Sequence, residues 1–217
     1  MLGGLLLASA SGVFADTIHN ESGDAGQTLG TAQGTASGNL VAIYGSLSHD
    51  VDIYAFQVLA DGTAFTATVA SPDYQNGGTL DTMLMLFTAG GFGVVGNDDI
   101  DGSTTNSRLS TTLNAGLYYL AISGYQLSAS DSASALIFPG MSGAGQVFGL
   151  NGALSDFVNL ADQGLQVGNY QIALEGAQGV PDISTFDAQS VPDSGATFTL
   201  LGMSVFGLGW ISRRLAK

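Results

Sequence analysis

The sequence predicts an all-β protein: an antiparallel β-sandwich or jelly roll set between an N-terminal signal peptide and a C-terminal transmembrane helix. Three observations carry this expectation. Apolar residues in the middle of the 217-residue chain recur with a period of two. Turn signals built on Gly, Asn and Asp interrupt those runs every few residues. Both ends are apolar, unlike the acidic middle.

Residues 1–15 are almost wholly apolar or small, with Leu5, Leu6 and Leu7 at the centre. Val13-Phe14-Ala15 has the small-x-small form of a signal-peptide cleavage site, so the exported chain is expected to begin at Asp16. Strands are expected where side chains alternate: Tyr54, Phe56 and Val58; Phe65, Ala67 and Val69; Leu84 and Leu86; Leu109, Thr111 and Leu113; Tyr118, Leu120 and Ile122; Tyr170, Ile172 and Leu174. Asp61-Gly62, Asn76-Gly77-Gly78, Gly90-Gly91, Asp101-Gly102 and Asn114-Ala115-Gly116 lie between them, and these residues reach the positive φ that tight hairpins need. About seven or eight short strands are expected, with no long helical period in the middle.

Residues 128–168 break the pattern. They are rich in Gly, Ser and Ala with scattered Phe138, Phe148 and Phe157, and read as a long insertion between the last two strands. The sandwich is expected over residues 16–178, a linker over 179–190, and a tail over 191–217. That tail is Val191-Pro192-Asp193-Ser194-Gly195, an uncharged stretch giving a transmembrane helix over 196–212, then Arg213, Arg214 and Lys217. At 1.5 Å per residue the stretch spans roughly 25 Å, the short end of what crosses a bilayer. The basic end belongs on the cytoplasmic side, which leaves the acidic domain outside.

Charge narrows the partners. The chain has 18 Asp and Glu against 4 Lys and Arg, a formal charge of -14, and three of the four cations fall in its last five residues. A nucleic-acid partner is excluded, because no basic stripe exists to displace counterions. An acidic surface suits solubility or divalent cations. There are no cysteines, hence no disulfide and no thiolate chemistry.

Two resemblances follow from these residues. The order Val-Pro-Asp-Ser-Gly, apolar span, Arg-Arg over the last 27 or so residues resembles the VPDSG variant of PEP-CTERM sorting signals. It implies recognition by an exosortase, transient anchoring in the inner membrane, cleavage near the motif, and delivery to the cell surface or extracellular polymer. The middle resembles the bacterial pre-peptidase C-terminal domain. The matching stretches are Gly45-Ser46-Leu47, Asp50 to Phe56, Leu80 to Phe87, Asn97 to Gly102 and Ala115 to Gly124. That family implies a β-sandwich appended to secreted enzymes or standing alone on surface proteins, with Ca²⁺ bound by some members and polymers by others. An extracellular polysaccharide is the expected polymer if this chain binds one.

Two sets of residues are candidate cation ligands. Asn97, Asp99 and Asp101, followed by Gly102, place oxygen side chains at alternate positions before a tight bend, like the start of an EF-hand loop. The twelfth position is Arg108 where an EF-hand carries Glu, so any site here is of another kind; the pattern equally suits a solvated turn, with Asp98 pointing outward as a spectator. The second set is Glu21, Asp24, Asp50 and Asp52, which the family resemblance places where calcium-binding members bring an acidic N-terminal segment onto the loop before the Asp-x-Tyr-x-Phe strand. Asp81 is expected to fix a turn at the rim.

Catalysis is not expected. His19 and His49 are the only histidines, neither has the surroundings of a Ser-His-Asp triad, and His49 beside Asp50 suits a surface turn. Tyr118, Tyr119 and Tyr125 suit either core packing or a sugar-binding face.

Overall fold

The computed structural model describes residues 14–70, 80–160 and 166–185. Most of the signal-peptide segment and the whole sorting tail, including the span over 196–212, lie outside them. No helix among the described residues is long and apolar enough to cross a membrane. One compact unit runs to Asp182; Ile183–Thr185, a single 3-10 turn, belongs to the unit that follows.

The described residues are almost entirely β, as the period of two in the middle of the sequence predicts. In order, the strands are β1 (Asp16–Asn20), β2 (Gln33–Gly34), β3 (Gly38–Ser48), β4 (Val51–Val58), β5 (Thr63–Ala70), β6 (Thr82–Thr88) and β7 (Gly93–Asn97). They continue with β8 (Arg108–Leu113), β9 (Gly116–Gly124), β10 (Leu127–Ser130), β11 (Gln146–Phe148), β12 (Asp156–Asn159), β13 (Val167–Glu175) and β14 (Gln178–Gly179). Hydrogen bonding gives one sheet in the order β1-β3-β13-β5-β8 and another in the order β2-β4-β9-β6-β7-β11. The two-residue β14 bonds to the start of β3 and the end of β4, so the sheets are continuous at one corner.

Inward side chains of the two sheets meet in one core. Phe56 of β4 stacks on Phe65 of β5 with ring centroids 5.0 Å apart, and on Tyr118 of β9 at 5.9 Å. Leu84, Leu120 and Ile122 from one sheet join Leu109, Ile172 and Leu174 from the other. Burial of each such side chain contributes about 1.5–3 kcal/mol.

The outer faces differ. Strands β5, β8 and β13 alternate buried with open positions, as a one-sided strand should. Strands β4, β6 and β9 are buried almost throughout, so their sheet is covered on both faces. Part of the cover is the excursion expected as an insertion, which is built into the fold. Strands β10 and β12 pair with each other, β11 extends the sheet beyond β7, and Phe138 is 2% exposed, edge-on to Phe87 of β6 at 5.5 Å. Glycines in β7 make room for it: a Cβ at Gly93 would meet Ile137 and, at 2.9 Å, Phe138, and a Cβ at Gly96 would stand 2.6 Å from Met141.

Two short pairs are parallel, β1 with β3 and β2 with β4. The N-terminal segment therefore lies on the outer edge of one sheet, crosses over residues 21–32, and lies on the outer edge of the other. The domain boundary also shifts. Val180 is 2% exposed and its N–H donates to Thr35 Oγ1 at 3.1 Å, so residues 179 and 180 are part of the sandwich.

Removing the Phe138 ring should open a cavity between the excursion and the sheet. Phe138→Ala is expected to cost about 3–5 kcal/mol, read in thermal melts as a fall in Tm on the order of 10 °C. An unchanged Tm would show that this ring does not hold the excursion in place.

Candidate metal centre

Strand β4 begins at the rim of the sandwich. Its alternation sends Asp52, Tyr54 and Phe56 inward together, so a carboxylate stands at the mouth of an apolar core. Tyr170 on β13 of the opposite sheet reaches both polar groups. Its hydroxyl donates to Asp52 Oδ2 at 2.6 Å and lies 2.6 Å from the Tyr54 hydroxyl. Asp52 is fully buried, and its other oxygen, Oδ1, has no hydrogen-bond partner.

The crossing segment supplies the neighbours. The Glu21 N–H donates to Tyr44 O at 2.8 Å, and its carboxylate accepts from Ser46 N at 2.8 Å and Ala25 N at 3.2 Å. Gly45 leaves the space for this arrangement, since a Cβ there would collide with the Tyr170 hydroxyl and stand 2.8 Å from Glu21 Oε2. Glu21, Asp24 and Asp52 each offer a carboxylate oxygen within 4.8 Å of the others. Oxygens sharing one Ca²⁺ at about 2.3–2.6 Å lie no farther apart than twice that radius. These residues fit a calcium ion on donor chemistry, spacing and the unsatisfied buried oxygen. Asp50 is not in this group; its Oδ1 caps the turn by accepting from Ser48 N at 2.8 Å.

In the expected set of Asn97, Asp99 and Asp101, two of the side chains are held by neighbouring groups. Asn97 is committed to the backbone, donating to Asp99 O and Gly145 O at 2.9 Å each and accepting from Arg108 N at 2.8 Å. Asp101 is exposed and accepts from Ser103 N at 2.8 Å. Asp98, expected to point outward, is 2% exposed instead. The groups that do meet are Asp81, Asp98 and Asp99, again with carboxylate oxygens within 4.8 Å of one another. Spacing along the chain could not show this, because Asp81 precedes β6 while Asp98 and Asp99 follow β7, and only the antiparallel pairing of those strands joins them.

Burial governs the protonation of both groups. It pushes the Asp52 carboxyl up to about 7 against the Tyr170 hydrogen bond, with the charges of Glu21, Asp50 and Asp24 adding to the rise. Burial likewise raises Glu21. In the second group it pushes Asp81 up to about 7, reinforced by Asp98 and Asp99. Asp98 rises to about 6 through burial, opposed by the Gly143 N–H and aided by Asp99.

His19 is buried, with Nε2 2.7 Å from Gln33 Oε1 and Nδ1 accepting from Ala36 N at 3.3 Å. His49 sits exposed in the β3–β4 turn at φ 71°. Tyr118 and Tyr119 are buried, so neither lines a sugar-binding face.

The described β-fold and the tail motif together define a class, a β-sandwich followed by a sorting signal. In particular, residues 190–215 match the VPDSG-CTERM motif. Such a motif is typical of exported surface proteins and implies recognition by a sorting enzyme such as an exosortase. No curated protein matches the chain. Among solved structures, the chain is similar to the pre-peptidase C-terminal domain of collagenase from Bacillus anthracis, at 12% identity and a TM-score of 0.34, covering 74% of this chain and 97% of that one. A likeness of that size bears on neither site nor function.

The raised carboxyls fix the sign of the pH response in the metal-free chain. Between 3.8 and about 7 the folded state holds protons that the unfolded state has lost, so stability should fall as pH rises through that window and level off above it. Asp101 and Asp131, both held below 3.8 by hydrogen bonds, act outside the window. In chelator, Tm should be lower at pH 8 than at pH 5; an equal or higher Tm at pH 8 would contradict the placement of these acids.

Proposed function

We propose that the chain is an exported cell-surface or extracellular-matrix protein, a non-catalytic β-sandwich that an exosortase processes at its tail and that Ca²⁺ stabilises at Glu21, Asp24 and Asp52. The observation that carries the surface role is the match of residues 190–215 to a sorting motif. In this reading the span over 196–212 anchors the chain in the inner membrane until cleavage near Val191-Pro192-Asp193-Ser194-Gly195 releases the domain to the outside.

The calcium reading rests on the unpartnered Asp52 Oδ1. A buried anionic oxygen without a donor is costly. A divalent cation shared with Glu21 and Asp24 removes that cost and joins the N-terminal crossing to the core. Extracellular modules commonly work with calcium affinities of about 10⁻⁴–10⁻³ M, which suits a domain that folds or matures outside the cell. The non-catalytic reading is supported by the structural engagement of His19 and the exposed turn position of His49.

Sorting is tested by fractionation and intact-mass measurement in the native host. The mature wild-type chain should lack Arg213 to Lys217, whereas Asp193→Ala and the Arg213→Ala/Arg214→Ala double variant should accumulate uncut in the membrane fraction. A mature surface chain that keeps its last residues would overturn processing. Calcium is tested by melting the full-length chain at pH 7.5. Ca²⁺ at 100 times its Kd should add about 2.7 kcal/mol, a rise in Tm of roughly 5–10 °C, and Asp52→Asn should remove this site's share. Identical melts with Ca²⁺ and with chelator would sink the calcium reading.

A further inference from the structure

Asp81, Asp98 and Asp99 meet where three parts of the chain converge. Asp81 stands just before β6, and its N–H donates to the side-chain oxygen of Gln166. Asp98 and Asp99 stand just after β7, beside that end of β6. The third part is the excursion. The Gly143 N–H donates to Asp98 Oδ2 at 2.6 Å, Asp99 N donates to Gly143 O at 3.3 Å, and Asn97 Nδ2 donates to Gly145 O at 2.9 Å.

Each of the three acids keeps one oxygen, Oδ1, that is buried and has no hydrogen-bond partner. Asp98 itself is 2% exposed. Among the described residues the only other such oxygen belongs to Asp52, in the first group. Arg108, the one Lys or Arg among the described residues, is exposed on β8. Three adjacent carboxylates whose inner oxygens lack donors repel one another unless a proton or a cation intervenes. Their oxygens are hard donors, and their mutual spacing within 4.8 Å is that of ligands around a single calcium-sized ion.

We propose that Asp81, Asp98 and Asp99 form a second divalent-cation site, separate from that at Asp52, whose ion fastens the excursion over residues 131–160 to the edge of the sandwich. Asp98 links the two roles, with one oxygen on the Gly143 N–H and the other free for the ion. The hydrogen bonds at Gly143 are then reinforced by an ion held from the sheet side. Without the ion, charge repulsion works directly against the segment that carries Gly143.

The test uses the full-length Asp52→Asn chain, in which the first site is removed, at pH 7.5. Calorimetric titration should still find about one Ca²⁺ per chain, where the wild type finds about two. Ca²⁺ should slow chymotryptic cleavage at the half-buried Phe157 and the exposed Phe148 at least tenfold relative to chelator. Adding Asp98→Asn, or separately the more exposed Asp99→Asn, should abolish both the binding and the protection without lowering the metal-free Tm, because each change removes a repelling charge. A wild type that binds one ion, lost in Asp52→Asn and untouched in Asp98→Asn and Asp99→Asn, would overturn the second site alone. A wild type that binds none would overturn both sites.

Discussion

The Tyr170 hydroxyl is the polar contact around which the sandwich is organised. It comes from β13 of one sheet and meets Asp52 and Tyr54 of β4 in the other, both at 2.6 Å. Dispersion and burial bring the sheets together, but they act in no particular register. The hydroxyl fixes one, because a shift of either strand by a residue would leave three buried polar groups without partners. The same contact decides which oxygen of Asp52 is used inside the protein and which is left without a donor. A structural joint and a candidate ion site are thus the two ends of one carboxylate.

The acidic character of the chain acquires a local meaning from this arrangement. With a formal charge of -14, most acids need only be solvated at the surface. The described carboxylate oxygens that are buried without a donor fall in two groups, each with three acids drawn from separated parts of the chain. Both groups sit where a non-repetitive segment docks on a sheet. The N-terminal crossing brings Glu21 and Asp24 to β4, and the excursion brings Gly143 to Asp98.

Much of the fold was legible because the core strands obey their period. Tyr54, Phe56 and Val58 point inward as their alternation requires, as do Phe65, Ala67 and Val69. Strand β3 was harder to read. Leu40 is in the core, but so are Ile43 and Leu47, which have the opposite parity, because the pairing with β1 skips Val41 in a bulge. Strand β7 was hidden by Gly93 and Gly96, which look like turn residues and are instead the clearance for Phe138 and Met141. The acidic N-terminal segment was legible through a family resemblance, and three of its four expected residues, Glu21, Asp24 and Asp52, do meet. The meeting of Asp81 with Asp98 and Asp99 was not legible from residue spacing. Asn97 ends a strand and spends its amide on backbone groups, while Asp81 reaches Asp98 and Asp99 only through strand pairing that no local motif records. The sorting tail is the opposite case, read from its motif without any need of a fold.

The most direct measurement is the calcium affinity of Tyr170→Phe, a change that removes one hydroxyl and touches no proposed ligand. If Tyr170 aims the free oxygen of Asp52 at the rim, the calcium Kd at that site should rise roughly 10–100-fold, the range typical of lost outer-sphere support, while the second acidic group keeps its affinity. If Tyr170→Phe melts at a lower temperature yet binds calcium as the wild type does, the joint between the sheets and the ion site at the rim are unconnected, and Asp52 does not couple them.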